Sequence, residues 1–186
     1  MKIDMKNKKV RTSIIGAVVV VLGSVMIHGQ INKTQNNFVS AGSAIMNLKA
    51  NVQRHKMVLL EANDSINRIS LDKSSSVKIE EILKEVENMN DMDSTKINEN
   101  VEILDKFNEE LDAMINIYEN DADMKKDILM VDKMGEIDSL NNLIDEIMIQ
   151  FNESDSTSFN KNIKKFPTSI VAKLKGWYNI ESFKSI

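Results

Sequence analysis

Apolar residues are distributed along this chain in two regimes. From Thr12 to Ile31 they form one block, TSIIGAVVVVLGSVMIHGQI, without a charged side chain. At roughly 1.5 Å of rise per residue, about 20 helical residues span roughly 30 Å, the hydrocarbon thickness of a bilayer. A helix satisfies its own backbone in lipid, so residues 12–31 are predicted to be a transmembrane helix. Beyond the block, apolar residues thin into stripes at intervals of three, four and seven, the spacing that places them on one helical face. Phe38, Ala41, Ile45, Leu48, Val52, Leu59 and Ile66 predict a helix over residues 33–70. Ile79, Ile82, Val86, Met89, Ile97, Val101, Leu104, Phe107 or Asn108, Leu111, Met114 or Ile115, and Tyr118 predict one over 77–118, weak or kinked across Asn88–Asn98. Ile128, Val131, Met134, Ile137, Leu140, Ile144, Ile147 and Phe151 predict a third over 124–152.

Polar stretches punctuate these helices: LDKSSS at 71–76, ENDAD at 119–123 and ESDSTS at 153–158. A short helix through Phe159 and Ile163 runs up to Pro167, which suits a first turn. Thr168–Lys175 predicts a last short helix, ended by Gly176. No stretch alternates with period two, and 43–166 holds no proline and one glycine, too few turn residues for a sheet. The expected fold is all-α: a transmembrane helix, then an antiparallel bundle of three long helices with short C-terminal helices. The expected division is a basic arm at 1–11, the span at 12–31, the bundle at 33–176 and an amphipathic tail at 177–186.

Charge adds an orientation. The net charge of −4 conceals +4 over residues 1–11, +4 over 33–60, −17 over 61–158 (26 acids against 9 bases) and +5 over 159–186. The basic arm favours a cytoplasmic N-terminus, with the bundle outside. A cleaved signal peptide shares the basic arm and apolar core, but this block is long and no small-residue cleavage site follows it. The strongly acidic middle argues against nucleic acid as a partner.

Little in the chain suggests chemistry. There is no cysteine, hence no disulfide, thiolate metal site or cysteine nucleophile. His28 reads as an interfacial side chain at the end of the span, and His55 sits in a basic cluster between Arg54 and Lys56. Asp91, Asp93, Thr95, Glu99 and Glu102 fit a calcium-loop spacing, but Lys96 stands where the turn requires glycine. Glu80, Glu81, Glu109 and Glu110 read as solvated helix faces. The methionines Met89, Met114 and Met134 fall on the stripes and read as core. Near the C-terminus Lys161, Lys164, Lys165, Lys173 and Lys175 surround Phe166, Ile170, Leu174, Trp177 and Tyr178. That composition suits an anionic lipid surface; the competing reading packs the aromatics on the bundle and turns the lysines toward its acidic helices. No catalytic, cofactor-binding or metal-binding residue is expected.

The stretch FNKNIKKFPTSIVAKLKGWYNIESF, Phe159–Phe183, resembles the closing signature of the LemA family, through Phe159, Asn160, Ile163, Phe166, Pro167, Ile170, Ala172, Leu174, Gly176, Trp177 and Phe183. In the N-terminal half the family pattern falls without gaps on Ile31–Asn32, Ala44–Ile45, Val52–His55 and Val58–Ala62. Arg54 matches outright, while Ile45, His55 and Leu60 replace the family's tryptophan, second arginine and proline. The resemblance implies a single-pass membrane protein with a bundle of long helices, and it brings no established catalytic activity or substrate to carry over. It also implies an N-terminus outside the cell, opposite to the charge argument. Its motif residues carry structure: Asn32, Ala44, Arg54, Phe159, Asn160, Ile163, Phe166, Pro167, Ala172, Gly176, Trp177 and Phe183. The expected function is a non-enzymatic envelope scaffold or adaptor with a protein partner. The alternative is a membrane-tethered sensor resembling a chemoreceptor input domain, although such modules need a second transmembrane helix.

Overall fold

The computed structural model describes residues 8–69, 78–89 and 94–185, with side chains at 8–18, 69, 94 and 95 outside the description. The predicted turn at 71–76 and most of the basic arm lie outside the described residues. Among the described residues there is no strand, in keeping with the all-α expectation.

The first helix, α1, runs unbroken from Lys8 to Ile69. The predicted span and the first bundle helix are therefore one rod, with no break at Asn32. Among the described residues no helix is long and apolar enough to cross a membrane. Residues 12–18 of the predicted span fall among those whose side chains are not described. From Val19 to Met26 the apolar side chains point into open space, Val20 being 67% exposed. Burial begins at Thr34, and Ala41, Ile45, Leu48, Val52, Leu59 and Ile66 then form a fully buried face.

The second predicted helix is two. Helix α2, Ile79–Glu87, lies antiparallel to α1, and α3, Ser94–Asn120, runs back along it. Lys78 N donates to the Glu110 carboxylate at 2.8 Å, and Glu85 shares a surface groove with Lys106, so the chain reverses between α2 and α3. Two features end α2 at Glu87. Apolar spacing lapses after Met89, and Lys49 of α1 donates to the carbonyls of Glu87 (3.0 Å) and Met89 (2.6 Å). An ammonium there supplies donors to orphan carbonyls and opposes the negative end of the helix dipole. Lys56 pairs with the Glu87 carboxylate beside it. Among the described residues the bundle thus has four helices, one of them short.

Helix α4, Ile128–Gln150, returns antiparallel to α1, as the Lys133–Glu61 ion pair (3.1 Å) marks. Asp127 caps its start, accepting from Leu129 N and Met130 N. The buried stripe begins at Met130 and proceeds through Met134, Ile137, Leu140, Ile144 and Met148 to Phe151. Ile128 and Val131, predicted to lead that stripe, are exposed instead. Counting back from Met134 by four reaches Met130, leaving Ile128 and Val131 on the outer side of the first turn.

The polar stretch at 153–158, open to reading as an irregular break or a continuing turn, is helical. A π-helical turn, Phe151–Ser156, leads directly into α5, Thr157–Ile163. Eight ordinary helical steps would set Phe159 about 80° from the face of Phe151, whereas one residue absorbed by the π-turn reduces this to about 20°. Both phenylalanines are consequently fully buried. Helix α6, Thr168–Lys175, follows a cis Phe166–Pro167 bond. Gly176 (φ +66°) ends it: Trp177 N donates to Ala172 O and Gly176 N to Lys173 O, a Schellman closure that needs a left-handed residue.

Candidate functional site

Two features stand out where the rod enters the bundle: a tail strapped down by amide side chains, and a polar cleft holding a buried carboxylate. The C-terminal signature supplies the tail, while the cleft is built from α1, α4 and the π-helical turn.

Residues 177–185 have no regular secondary structure. An extended strand has no internal hydrogen-bond partners, so its backbone must find them elsewhere. Here side chains supply them. Asn160 accepts from Ile180 N (2.8 Å) and donates to Ile180 O (2.7 Å). Asn152 does the same for Phe183, at 2.8 and 2.9 Å. From the opposite wall, Asn98 donates to Asn179 O and accepts from Glu181 N, both at 2.9 Å. Asp105 accepts from Lys184 N, Ser185 N and Ser185 Oγ, and Asn108 donates to Ser185 O. The pitch of the two structures makes this work. Seven helical positions, Asn98 to Asp105, rise about 10 Å, the distance three extended residues cover. The tail runs parallel to α3 and antiparallel to the 152–160 segment, which it joins as a strand would.

The apolar residues of the tail lock the same arrangement. Ile180 and Phe183 are buried, and Phe183 meets Phe151 with ring centroids 4.9 Å apart. Trp177 closes a cluster with Phe38 of α1 (6.0 Å) and Phe159 of α5 (5.8 Å), and Lys175 Nζ lies 5.1 Å from its ring centroid.

The cleft lies on the other side of the π-turn. Ser40, Ser43, Ala44 and Asn47 of α1 face Ile147, Gln150 and Asp155 around a volume of about 210 Å³. Asp155 is buried, and burial raises its pKa above the ordinary carboxylate range against opposing hydrogen bonds with Ser40 and Ser154. A lone carboxyl among hydroxyl and amide groups can bind a proton, an amine or a polar small molecule, and has no neighbouring base for nucleophilic work. His55 lies a helix length away, its Nδ1 donating to Asn51 O at 2.8 Å. On the far side of α4, Asp112 is also held above the ordinary range, by partial burial first and the Asp145 charge second. Among the described residues no group of His, Asp and Glu could hold a metal ion. Of the calcium-loop spacing, Glu99 and Glu102 stand on α3, where a straight helix cannot wrap a cation, and Glu102 pairs with Lys106 at 3.0 Å. Asp91 and Asp93 lie outside the described residues.

The structure sorts the motif residues. Phe159, Asn160, Ile163, Ala172, Gly176, Trp177 and Phe183 meet in the tail and its seat. Ala44 lines the polar cleft, while Asn32 and Arg54 are exposed on α1. Phe166 is 76% exposed, with Pro167 half-buried beside it. Sequence reasoning missed Asn98, Asp105, Asn108 and Asn152, which hold the tail backbone, and Ser40 and Asp155. The one available signal was the frequency of asparagine at positions otherwise suited to buried or half-buried helix faces. No curated protein and no solved structure matches the chain significantly. The family model described as "LemA family" matches residues 67–185, a stretch that contains α2 to α6 and the whole strapped tail but not Asn32, Ala44 or Arg54. The chain belongs to the LemA family.

Proposed function

We propose that this LemA-family chain is a single-pass membrane-anchored scaffold or adaptor of the cell envelope, acting by contact and without catalysis. The observation that carries this is the continuity of α1. An uncharged apolar rod, exposed from Val19 to Met26, passes without a hinge into the central helix of the bundle. Water makes such a surface costly and hydrocarbon makes it favourable, so the rod serves as the anchor and the bundle is held rigidly at its end. The basic charge of the arm at 1–11 supports a cytoplasmic N-terminus with the bundle outside. The apolar core runs the length of the bundle, and of the two buried carboxylates Asp105 is spent on the tail backbone, which supports a contact role over an enzymatic one, with a protein as the partner.

Alkaline extraction and protease shaving of intact cells test the reading. The protein is expected to stay with membranes at high pH and to lose its bundle to external protease. Release at high pH overturns the anchor; protection of the bundle until lysis reverses the orientation. Crosslinking from membranes is expected to capture a protein partner, and a partnerless monomer removes the adaptor role. The cleft of Ser40, Asn47, Gln150 and Asp155 favours a second reading, a tethered sensor of a small polar ligand. Ligand-dependent protection of these residues from hydrogen exchange would distinguish it.

A further inference from the structure

We infer that α6 and the turn before it form a foot that rests on anionic lipid headgroups at the root of the rod. This inference builds on the anchor proposed above and adds a second membrane contact to it.

Position comes first. Lys165, Thr168 and Asn162 share a cleft of about 200 Å³ with Gln30 and Lys33, and Lys175 Nζ reaches Gln35 Oε1 at 3.4 Å. Helix α6 therefore lies alongside residues 30–35 of α1. The uncharged block ends at Ile31, and Gln35 is about 6 Å further along the helix. A bilayer spanned by that block places its headgroups level with α6.

Chemistry agrees with position. Thr168 and Ala172 are buried against the bundle. The opposite face of α6 carries Ile170 and Leu174, with Leu174 82% exposed, and the turn before it carries the exposed Phe166. Single exposed apolar residues are ordinary, but Ile170 and Leu174 share one face of α6, and Phe166 is exposed in the turn just before it, so three large apolar side chains lie open within nine residues. Around it stand Lys161, Lys164, Lys165, Lys173 and Lys175, all exposed, and residues 156–180 contain no acid. Among the described residues Lys161, Lys164, Lys165 and Lys173 make no ion pair with the acidic helices. The C-terminal region thus divides its labour: Trp177, Ile180 and Phe183 pack inward, while Phe166, Ile170 and Leu174 point outward among lysines. An apolar stripe bordered by cations suits a lipid surface carrying negative charge. A protein groove offers no reason for the face to sit at the level where the apolar rod begins.

The absence of cysteine permits a direct test on the full chain. Leu174→Cys, Val20→Cys and Ile128→Cys are each labelled with an environment-sensitive fluorophore. The proteins are reconstituted into vesicles of phosphatidylcholine alone or mixed with phosphatidylglycerol, with brominated acyl chains as quenchers. The Leu174 label is expected to be quenched several-fold more in phosphatidylglycerol vesicles than in phosphatidylcholine alone, and less so at high salt. The triple substitution Lys164→Gln, Lys165→Gln and Lys173→Gln is expected to abolish that difference while leaving the Val20 signal intact. Ile128, exposed at the distant end of the bundle, is expected to remain unquenched. Equal quenching at Leu174 in both lipids overturns the headgroup preference. Quenching at Leu174 no greater than at Ile128 overturns the foot. Failure at Val20 overturns the anchor instead, so the two ideas fall separately.

Discussion

The two ends of the described chain solve opposite problems. The rod at residues 19–31 is a helix, so its peptide groups are satisfied within the segment and its apolar side chains are left without partners. The tail at 177–185 is extended, so its side chains find a core while its peptide groups must borrow partners from Asn98, Asp105, Asn152 and Asn160. One end, as the proposed anchor, would be suited by an apolar surrounding of almost any shape. The other needs a few particular amides at particular heights. The rod should tolerate conservative substitution broadly, and the tail seat should tolerate very little.

The largest effect is expected at Phe183. It is buried, packs on Phe151, and lies at the centre of the strap. Phe183→Ala removes a buried ring and leaves a cavity, at about 3–5 kcal/mol. Chemical denaturation of the full chain in mild detergent measures this. A loss below about 1 kcal/mol would mean that the tail is peripheral to the fold and that its likeness to a packed strand is superficial.

Next comes the bidentate amide. Asn160→Asp keeps the acceptor for Ile180 N but loses the donor to Ile180 O and sets a charge against that carbonyl. Leaving a partly buried carbonyl unpaired costs about 1–3 kcal/mol, and the same denaturation experiment reads it. Asn160→Gln preserves the chemistry but overreaches by one methylene, so it should fall between parent and Asp. Equal stability of all three would show that water can replace the amide.

These dependencies mark the boundary of what the residue pattern made legible. Ile45, Leu48, Val101, Leu111 and Ile144 were readable as core because a helix repeats its buried face every few residues. The tail ladder has no such period: each asparagine is matched to a backbone group distant in sequence, and nothing local distinguishes Asn152 from a solvated residue. The reversal after Glu87 was illegible for a related reason. Asn88 to Asp93 are as compatible with a weak helix as with a turn, and the decision rests with Lys49 on another helix. In the signature itself, the residue pattern leaves Phe166, Leu174 and Trp177 free either to pack or to face lipid. Trp177 packs on Phe38 and Phe159, while Phe166 and Leu174 are exposed.

Asp155 sits between the two ends, in the π-turn that seats the tail and against Ser40 above the rod. Its carboxyl holds a proton more firmly in the folded chain than in the unfolded one, because burial disfavours the charged form. Its contribution is therefore most favourable below the ordinary Asp value of 3.8 and is lost as pH rises from there through the raised folded value. Asp155→Asn keeps the polar contacts and removes the titration. The stability of the variant relative to the parent should rise across that interval and level off above it. A difference independent of pH would show that Asp155 reaches water freely.

The smallest expected effect lies on the rod, and it is the sharpest check on the comparison. Val20→Ser replaces an apolar side chain with a small polar one, and Val20 has no buried contact to lose. Its hydroxyl can bond back to the preceding turn, as Ser24 Oγ already does to Val20 O at 2.8 Å. Denaturation of the bundle should be unchanged within about 0.5 kcal/mol, followed through Trp177 fluorescence, since the bundle begins at Thr34 and the rod contributes no side chain to its core. Under the proposed anchor role a polar residue bears on insertion alone, so a single serine should leave membrane retention intact as well. Loss of bundle stability at Val20 would mean that the rod folds against protein, and the contrast between an end that needs a solvent and an end that needs a socket would no longer hold.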